Sequence, residues 1–434
     1  MCQTNRQAVT NSKVRTRLED CKLGKLPDRR GRRGRQYSHR SLVGMLMLGA
    51  IARCETLRET EELSDELAGN TRRWLRAKWP KISDTKVRDT LGDLQWDDLS
   101  APLHRQVYAE HRRRRLEPID GLPIRAVAID GKCVGIVEPS DHPLVQNVDP
   151  DDGEPYGKLM VHRATLISSS APVCIHQQPI PGASNEIGTM AETLEALEAA
   201  YGRTSLFELV MVDAGNISKA VAGQIIDHGN DYWAKLDSNQ PTLLREAVRR
   251  LGGNEHLKSP LEFAGRPIGE EVDETGRWTT YQGSNVVEYE LRRATVPEGF
   301  HGWGHLRQML RIDRYVDGEH QGTRFFVTSL SPDRLATPKR WLKLARRYWR
   351  CENGNHWTCD YLFDEDAAQT PWSTDPEAIL VATFFRLIAL NILAGLRAMS
   401  RRDYHPETPP WKTVVGYAKA LFQTGQAVKV GACG

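Results

Sequence analysis

Three acids stand out by their setting: Asp130, Asp213 and Glu352. Asp130 closes the apolar run Arg125–Asp130, and Asp213 closes a second run, Leu206–Asp213. Glu352 lies late in a basic stretch, Trp349-Arg350-Cys351-Glu352-Asn353. Carboxylates brought from separate elements to one place suit hard divalent cations. Two such ions, held roughly 3.5–4 Å apart, serve phosphodiester chemistry: one activates the attacking oxygen, the other stabilises the leaving oxygen. Residue type and spacing do not single out these three among 56 Asp and Glu residues. Asp130 before Gly131 also reads as a turn former. Asp213, in Val212-Asp213-Ala214-Gly215-Asn216, also reads as a helix cap. Glu352 also reads as a surface ion-pair partner of Arg346 or Arg347.

Such acids need a scaffold that joins distant points of the chain. A length of 434 residues implies two to three domains. The hydrophobic share of 40% and charged share of 26% fit a globular protein. Residues 1–118 read as a helical domain, with apolar patterns at Leu42–Ile51, Leu57–Leu67 and Thr85–Leu94, the last capped by Ser83 or Asp84. Two short helices around Pro80 suggest a helix-turn-helix that offers Lys86 and Arg88 to DNA, with a plain helical bundle as the alternative. Pro118–Pro123 marks a boundary. Residues 119–434 then read as α/β. The strands are Arg125–Asp130, Lys158–Ser168, Pro172–Ile180, Leu206–Asp213 and Tyr232–Leu236, with helices at Asn185–Tyr201 and Ile217–His228. In such folds functional groups gather at strand ends, so Asp130 and Asp213, 213 − 130 = 83 residues apart, have plausible places in one site. Residues 240–331 read as a β-rich insertion, with strands at Trp278–Tyr281, Val286–Val296, Leu306–Val316 and Arg324–Leu330. Helices return at Trp341–Asn353 and Pro376–Ser400.

The net charge of +3 hides local asymmetry. Arg29, Arg30, Arg32, Arg33, Arg35 and Arg40 form one basic cluster, Arg112–Arg115 a second, and Lys339–Arg350 a third. Three such clusters favour a polyanionic partner, double-stranded DNA, over merely solvated faces. Lys339, Lys343, Arg346 or Arg347, and Arg350 recur at helical spacing, as one face holding phosphates beside Glu352. Lys132 is a further phosphate contact. His356 either orients a carboxylate, contacts DNA or is structural. Trp357 either stacks on an unpaired base or packs in the core. Asp360, Asp364, Glu365 and Asp366 read as helix-end or surface groups. His301 and His305 lie four apart, but Gly302 and Gly304 argue against the helix a metal pair would need. Eight cysteines without a CxxC pair support neither a zinc ribbon nor a redox motif. The polar opening Met1–Arg17 lacks a secretory pattern, so reducing cytoplasm and free thiols are expected. Ala378–Leu396 is nearly all apolar, yet Arg386 and Asn391 within it favour a buried core helix over a membrane span.

Several motifs together resemble the DDE insertion-sequence transposases of the H-repeat-associated protein group, over most of the chain. They are Ala128-Ile129-Asp130-Gly131-Lys132, Ser184-Asn185-Glu186-Ile187, Val212-Asp213-Ala214, Gly229-Asn230-Asp231-Tyr232 and Asn239-Gln240-Pro241. The most specific is Trp349-Arg350-Cys351-Glu352-Asn353 followed by His356-Trp357, Asp360, Phe363 and Glu365-Asp366. Leu26-Pro27-Asp28-Arg29-Arg30 resembles the accessory domain of that group. The resemblance implies an RNase H-like core with a β-rich insertion between the second Asp and the Glu. It implies Asp130, Asp213 and Glu352 as catalytic metal ligands, with Mg²⁺ as cofactor and Mn²⁺ as substitute. The implied reaction is hydrolysis at the inverted ends of a mobile element and transfer of the 3′-hydroxyl to target DNA, in a homodimeric synaptic complex. A DNA-binding relative without chemistry, or a nuclease without strand transfer, are the alternatives.

Overall fold

A computed structural model describes residues 8–9, 11–31, 35–119, 121–263, 267–365, 372–403, 409–425 and 428–429. Arg32 and Arg33 of the first basic cluster, and Asp366, lie outside the described residues.

One mixed sheet of ten strands organises the chain. Its first part comprises β1 (Ala126–Val137), β2 (Gln146–Val148), β3 (Tyr156–Leu166), β4 (Val173–Ile180), β5 (Leu209–Val212) and β6 (Asp231–Leu236). β1 pairs antiparallel with β3, and β3 with β4. β1, β5 and β6 run parallel. The order β4-β3-β1-β5-β6 is the RNase H-like arrangement. Every residue of Leu209–Val212 is buried, as a parallel strand covered on both faces requires. The crossover from β4 to β5 contains helix α7 (Glu186–Tyr201), and that from β5 to β6 contains α8 (Lys219–Asp227). Asn185 caps α7 by accepting from the Gly188 amide at 2.9 Å, and Ser218 caps α8.

The β-rich block extends this same sheet. β7 (Glu274–Gln282), β8 (Asn285–Thr295), β9 (Gln308–Val316) and β10 (Glu319–Thr328) form antiparallel pairs, and β10 joins β6. The block opens with a helix, α9 (Pro241–Leu251), ahead of the expected strands. Pro241 starts it without needing an N–H donor, and Leu243, Ala247, Val248 and Leu251 line its buried face.

Before the sheet come α1 (Asn11–Cys21), α2 (His39–Ile51), α3 (Leu57–Asp65), α4 (Gly69–Leu75), α5 (Asp84–Asp93) and α6 (Trp96–Arg112). Residues 76–83 link α4 to α5, longer than the three- or four-residue turn of a helix-turn-helix. Lys86 is ion-paired with Asp89 at 2.7 Å and Arg88 with Asp84 at 3.6 Å. After β10 come α10 (Pro338–Arg347), α11 (Trp357–Phe363), α12 (Pro376–Asp403) and α13 (Trp411–Thr424). The apolar stretch Pro376–Ala398 has the length and composition of a membrane span, but 94% of its most apolar 18-residue window is buried inside the protein. It packs against α2, α6 and β4. Asn391 within it serves the buried edge of β4: its side chain accepts from the Cys174 amide at 2.9 Å and donates to the Cys174 carbonyl at 2.8 Å. That pairing satisfies backbone groups that would otherwise be stranded in the core. The six described cysteines Cys21, Cys54, Cys133, Cys174, Cys351 and Cys359 are free thiols.

Candidate active site

Register places the first two acids. β1 and β5 pair Ile129 with Val212, so Asp130 and Asp213 are the next residues on neighbouring parallel strands. β5 and β6 pair Val212 with Ala234, which puts Lys235 at the same level on the third strand. Its ammonium lies 3.3 Å from Asp213 Oδ1. Asp213 leaves the sheet here, opening the 3-10 turn Ala214–Asn216. Asn239 and Gln240 brace that loop, donating to the carbonyls of Ala214 at 2.6 Å and Ile217 at 2.8 Å.

Asp130 does not end its strand. β1 runs on to Val137, so neither a strand end nor a turn explains Gly131. A Cβ at Gly131 would sit 2.2 Å from Glu186 Oε1. The glycine leaves the space that a carboxylate from the first turn of α7 occupies. Asn216, just past Asp213, holds Glu186 from the other side, donating to Oε2 at 2.9 Å.

Glu352 comes from the far end of the chain. The expected helix Trp341–Asn353 is interrupted: α10 ends at Arg347, and Glu352–His356 forms a π-turn before α11. Such a widened turn is frequent at functional sites. A Cβ at Gly354 in this turn would sit 2.6 Å from Pro172 Cγ, so the segment is pressed onto the β3–β4 turn. Arg350 reinforces this contact, donating to the carbonyls of Ile167 at 2.5 Å and Ser170 at 3.3 Å.

Two ion pairs lock the following helix to the sheet. Lys132 is buried and pairs with Asp360 at 2.5 Å. Arg163, opposite Asp130 in the register of β1 and β3, donates to both oxygens of Glu365 at 2.8 and 3.1 Å. Both side chains of that pair are fully buried. Glu365 is thus an interior anchor, not the surface group expected. Burial resists the charged form, but Arg163 holds the Glu365 carboxyl below its ordinary range.

The acids act on one another. Burial, then Glu186, Glu352 and Asp213 in turn, push the Asp130 carboxyl up to about 7. Glu352 is also pushed up, by burial and by Asp213, against the lowering influence of Arg324 and Lys235. Four carboxylates, one of them driven toward protonation by burial first and by the repulsion of the others second, form a donor set that a divalent cation fits, because a cation would offset both. His356 stands beside Asp130, with Nδ1 3.6 Å from Oδ2. Burial holds its pKa well below the usual histidine range, so the ring is neutral. Tyr348 is half-buried beside the same acids; loss of solvent around its hydroxyl first, and Asp130 next, raise its phenol well above 10.

The expected DNA contacts divide. Lys339 and Arg346 are exposed and Lys343 is half-buried. Arg346 lies over the rings of Trp278 and Tyr289 at 5.2 and 5.1 Å. Arg347 is buried and donates to the Ile119 carbonyl, while Arg350 and Lys132 are engaged as described. Helical spacing puts Lys339, Lys343, Arg346 or Arg347, and Arg350 on one outward face, but α10 turns Arg347 into the core and ends before Arg350. Trp357 is 57% exposed, which excludes core packing. It stacks on Tyr361, the centroids 5.4 Å apart and the planes 8° from parallel. Clefts rich in arginine and aromatic side chains flank the Glu352 segment: Arg314, Arg324 and Trp349 line one, Trp357, Tyr361 and Arg397 the other.

Glu186, Lys235, Asn216 and Arg324 were not singled out from the sequence. Glu186 carried a signal, lying in the Ser-Asn-Glu-Ile motif; the others depend on register.

A family model described as Transposase DDE domain matches residues 121–392. No curated protein matches the chain. Among solved structures the chain is similar to the piggyBac transposase in a cryo-EM synaptic complex with hairpin DNA. Identity is 10%, with 95% of this chain and 77% of that chain covered and a TM-score of 0.45.

Proposed function

Because the chain belongs to the transposase DDE domain family, we propose that it is a transposase of the H-repeat-associated type. It binds the inverted ends of its element, cleaves DNA there and transfers the freed 3′-hydroxyl to target DNA. The observation that carries this reading is the emergence of Asp130 and Asp213 side by side from parallel strands, inside the electrostatic reach of Glu352 and Glu186.

Asp130, Asp213 and Glu352 would hold divalent cations, Mg²⁺ or Mn²⁺, with Glu186 as a fourth oxygen donor facing Asp130. When bound, these ions supply Lewis acidity, activating the attacking oxygen and stabilising the leaving one. The chain's own groups do the rest. Neutral His356 supports Asp130 without adding positive charge that would oppose a cation. Lys235 and Arg324 place positive charge beside Asp213 and Glu352, where a scissile phosphate would lie. Lys339, Lys343 and Arg346 follow the phosphate backbone. The Trp357–Tyr361 stack receives an unpaired base. Residues 1–118 act as an accessory DNA-binding unit and 119–434 as the catalytic unit, with 240–331 as its insertion. Two copies pair the two element ends on DNA in the cytoplasm.

The test is metal-dependent cutting of DNA carrying the element's own terminal repeats. Asp130→Asn, Asp213→Asn and Glu352→Gln should each abolish cutting while leaving DNA binding intact. Cutting that persists in all three disproves the acid assignment. Binding without any cutting identifies a DNA-binding relative, and cutting without recombinant product identifies a nuclease.

A further inference from the structure

The strand-rich extension holds a second group of side chains with metal-binding chemistry. His256, Asp313 and His320 each offer one ligand atom, and these atoms all lie within 4.8 Å of one another. Among the described residues no other trio of His, Cys, Asp and Glu meets that limit. The acids at the β1–β5 strand level do not meet it either, so the two clusters differ in build.

Three features of the chain assemble the trio. The first is a β-bulge. β9 and β10 pair Asp313 with Thr323 and Arg314 with Gly322, but then Tyr315 with His320, passing over Gln321. In an unbroken ladder His320 would project from the opposite face of the hairpin. The extra residue brings it to the Asp313 face, where its Nε2 lies 3.9 Å from Asp313 Oδ1 and 3.0 Å from Thr323 Oγ1. The second is the glycine pair Gly252–Gly253 after α9, with φ of 74° and 93°. A Cβ at Gly253 would sit 2.8 Å from Arg311 Cζ, so only glycine lets the loop fold this closely over Arg311. The turn Asn254–His256 then lays the His256 ring on the His320 ring, with centroids 3.9 Å apart.

The third feature fixes the carboxylate. Asp313 is 1% exposed, and Arg311 Nε lies 3.0 Å from its Oδ2. Thr323 donates to its Oδ1. Arg311 also donates to the Leu251 carbonyl at 3.2 Å, tying the end of α9 to the same point. Outer partners of this kind orient a ligand and hold it ready. Tyr315 packs edge-on against His320. Glu255 Oε1 lies 3.3 Å from His256 Nε2.

Two imidazoles and one carboxylate suit borderline transition metals such as Zn²⁺ or Co²⁺, not the hard Mg²⁺ of an all-oxygen site. A tetrahedral ion with bonds of about 2.1 Å holds its donors roughly 3.4 Å apart. The required contraction falls on two side chains with room to turn, since His256 and His320 are 25% and 27% exposed. We propose that His256, Asp313 and His320 form a transition-metal site, with Zn²⁺ as its ion, that pins the loop after α9 to the β9–β10 hairpin. The site is structural. It braces β10, which carries Arg324 toward Glu352.

The experiment uses the full chain, stripped by a chelator and titrated with Co²⁺ and then Zn²⁺. Binding in the natural protein should give the visible absorption of low-symmetry Co²⁺, displaced by one equivalent of Zn²⁺. His256→Gln and His320→Gln should each abolish the band and weaken Zn²⁺ binding by at least about 100-fold, since each deletes an inner ligand. The band should survive in the Asp130→Asn, Asp213→Asn, Glu352→Gln triple variant. Zn²⁺ should raise the melting temperature of the natural protein and not of His256→Gln; circular dichroism of the metal-free forms checks that both are folded. No band in the natural protein, a band unaffected by either histidine change, or a band lost only with the three acids would each overturn the proposal.

Discussion

The parallel half of the sheet and its antiparallel extension solve the same problem, gathering polar side chains, in opposite ways. At the β1–β5 level, acids from four separate segments crowd together, and burial, reinforced by their repulsion, pushes Asp130 up to about 7. In the extension, Asp313 is held by Arg311 and Thr323, and the histidines lean on each other. The first arrangement leaves electrostatic stress that bound cations would relieve. The second leaves little stress and a tight donor set. Stress of this kind, rather than compactness, is the ground for proposing the acids as the reacting site.

The largest expected effect sharpens that contrast. Asp130→Asn, Asp213→Asn or Glu352→Gln should lower end cleavage by at least about 10³-fold, a loss on the scale of an essential electrostatic group. His256→Gln should leave cleavage within a few-fold. Equal losses in both places, measured on the same DNA, would erase the distinction.

Next comes the anchor under the acid site. Glu365→Gln leaves buried Arg163 without its charged partner and should cost about 3–5 kcal/mol in denaturant unfolding. A change below about 1 kcal/mol would show that the pair does not hold the Glu352 segment to the sheet.

Glu186→Gln should lower cleavage by at least about 10–100-fold, because it removes one of four oxygen donors, and weaken Mn²⁺ binding measured by calorimetry. Unchanged Mn²⁺ affinity would remove Glu186 from the donor set.

Stability against pH offers a further test in the absence of divalent ions. The folded Asp130 carboxyl sits above its ordinary value, so between about pH 4 and 7 the folded state holds a proton that the unfolded state has lost. Stability therefore falls as pH rises through that window. Asp130→Asn, or added Mg²⁺, should flatten the slope; the same slope in all three samples would assign it elsewhere.

The smallest effect belongs to the exposed stack. Trp357→Ala should weaken binding to element ends carrying an unpaired base by about 1–3 kcal/mol and leave fully paired duplex nearly unaffected.

Local pattern carried much of this molecule. The apolar runs before Asp130 and Asp213 are strands because continuous burial demands them. Asn185 and Ser218 cap helices because their side chains meet free amides. The long apolar helix α12 could be read as core because Arg386 and Asn391 interrupt it. Where pattern misled, a distant partner decided. Gly131 looked like a turn residue until Glu186 proved to lie against it. Arg350, and Arg347 as the alternative to Arg346, looked like part of a DNA-facing helix, and Lys132 like a separate phosphate contact, yet Asp360 and the carbonyls of Ile119, Ile167 and Ser170 claim them. Glu365 looked superficial, yet Arg163 draws it inside. By itself the sequence determined the elements and the residue types available for chemistry, because capping, burial and periodicity act within a few residues. Only the tertiary structure decided which side chains meet, because strand register, a single bulged residue in β10 and the π-turn at Glu352 set side-chain direction across stretches that no local pattern spans.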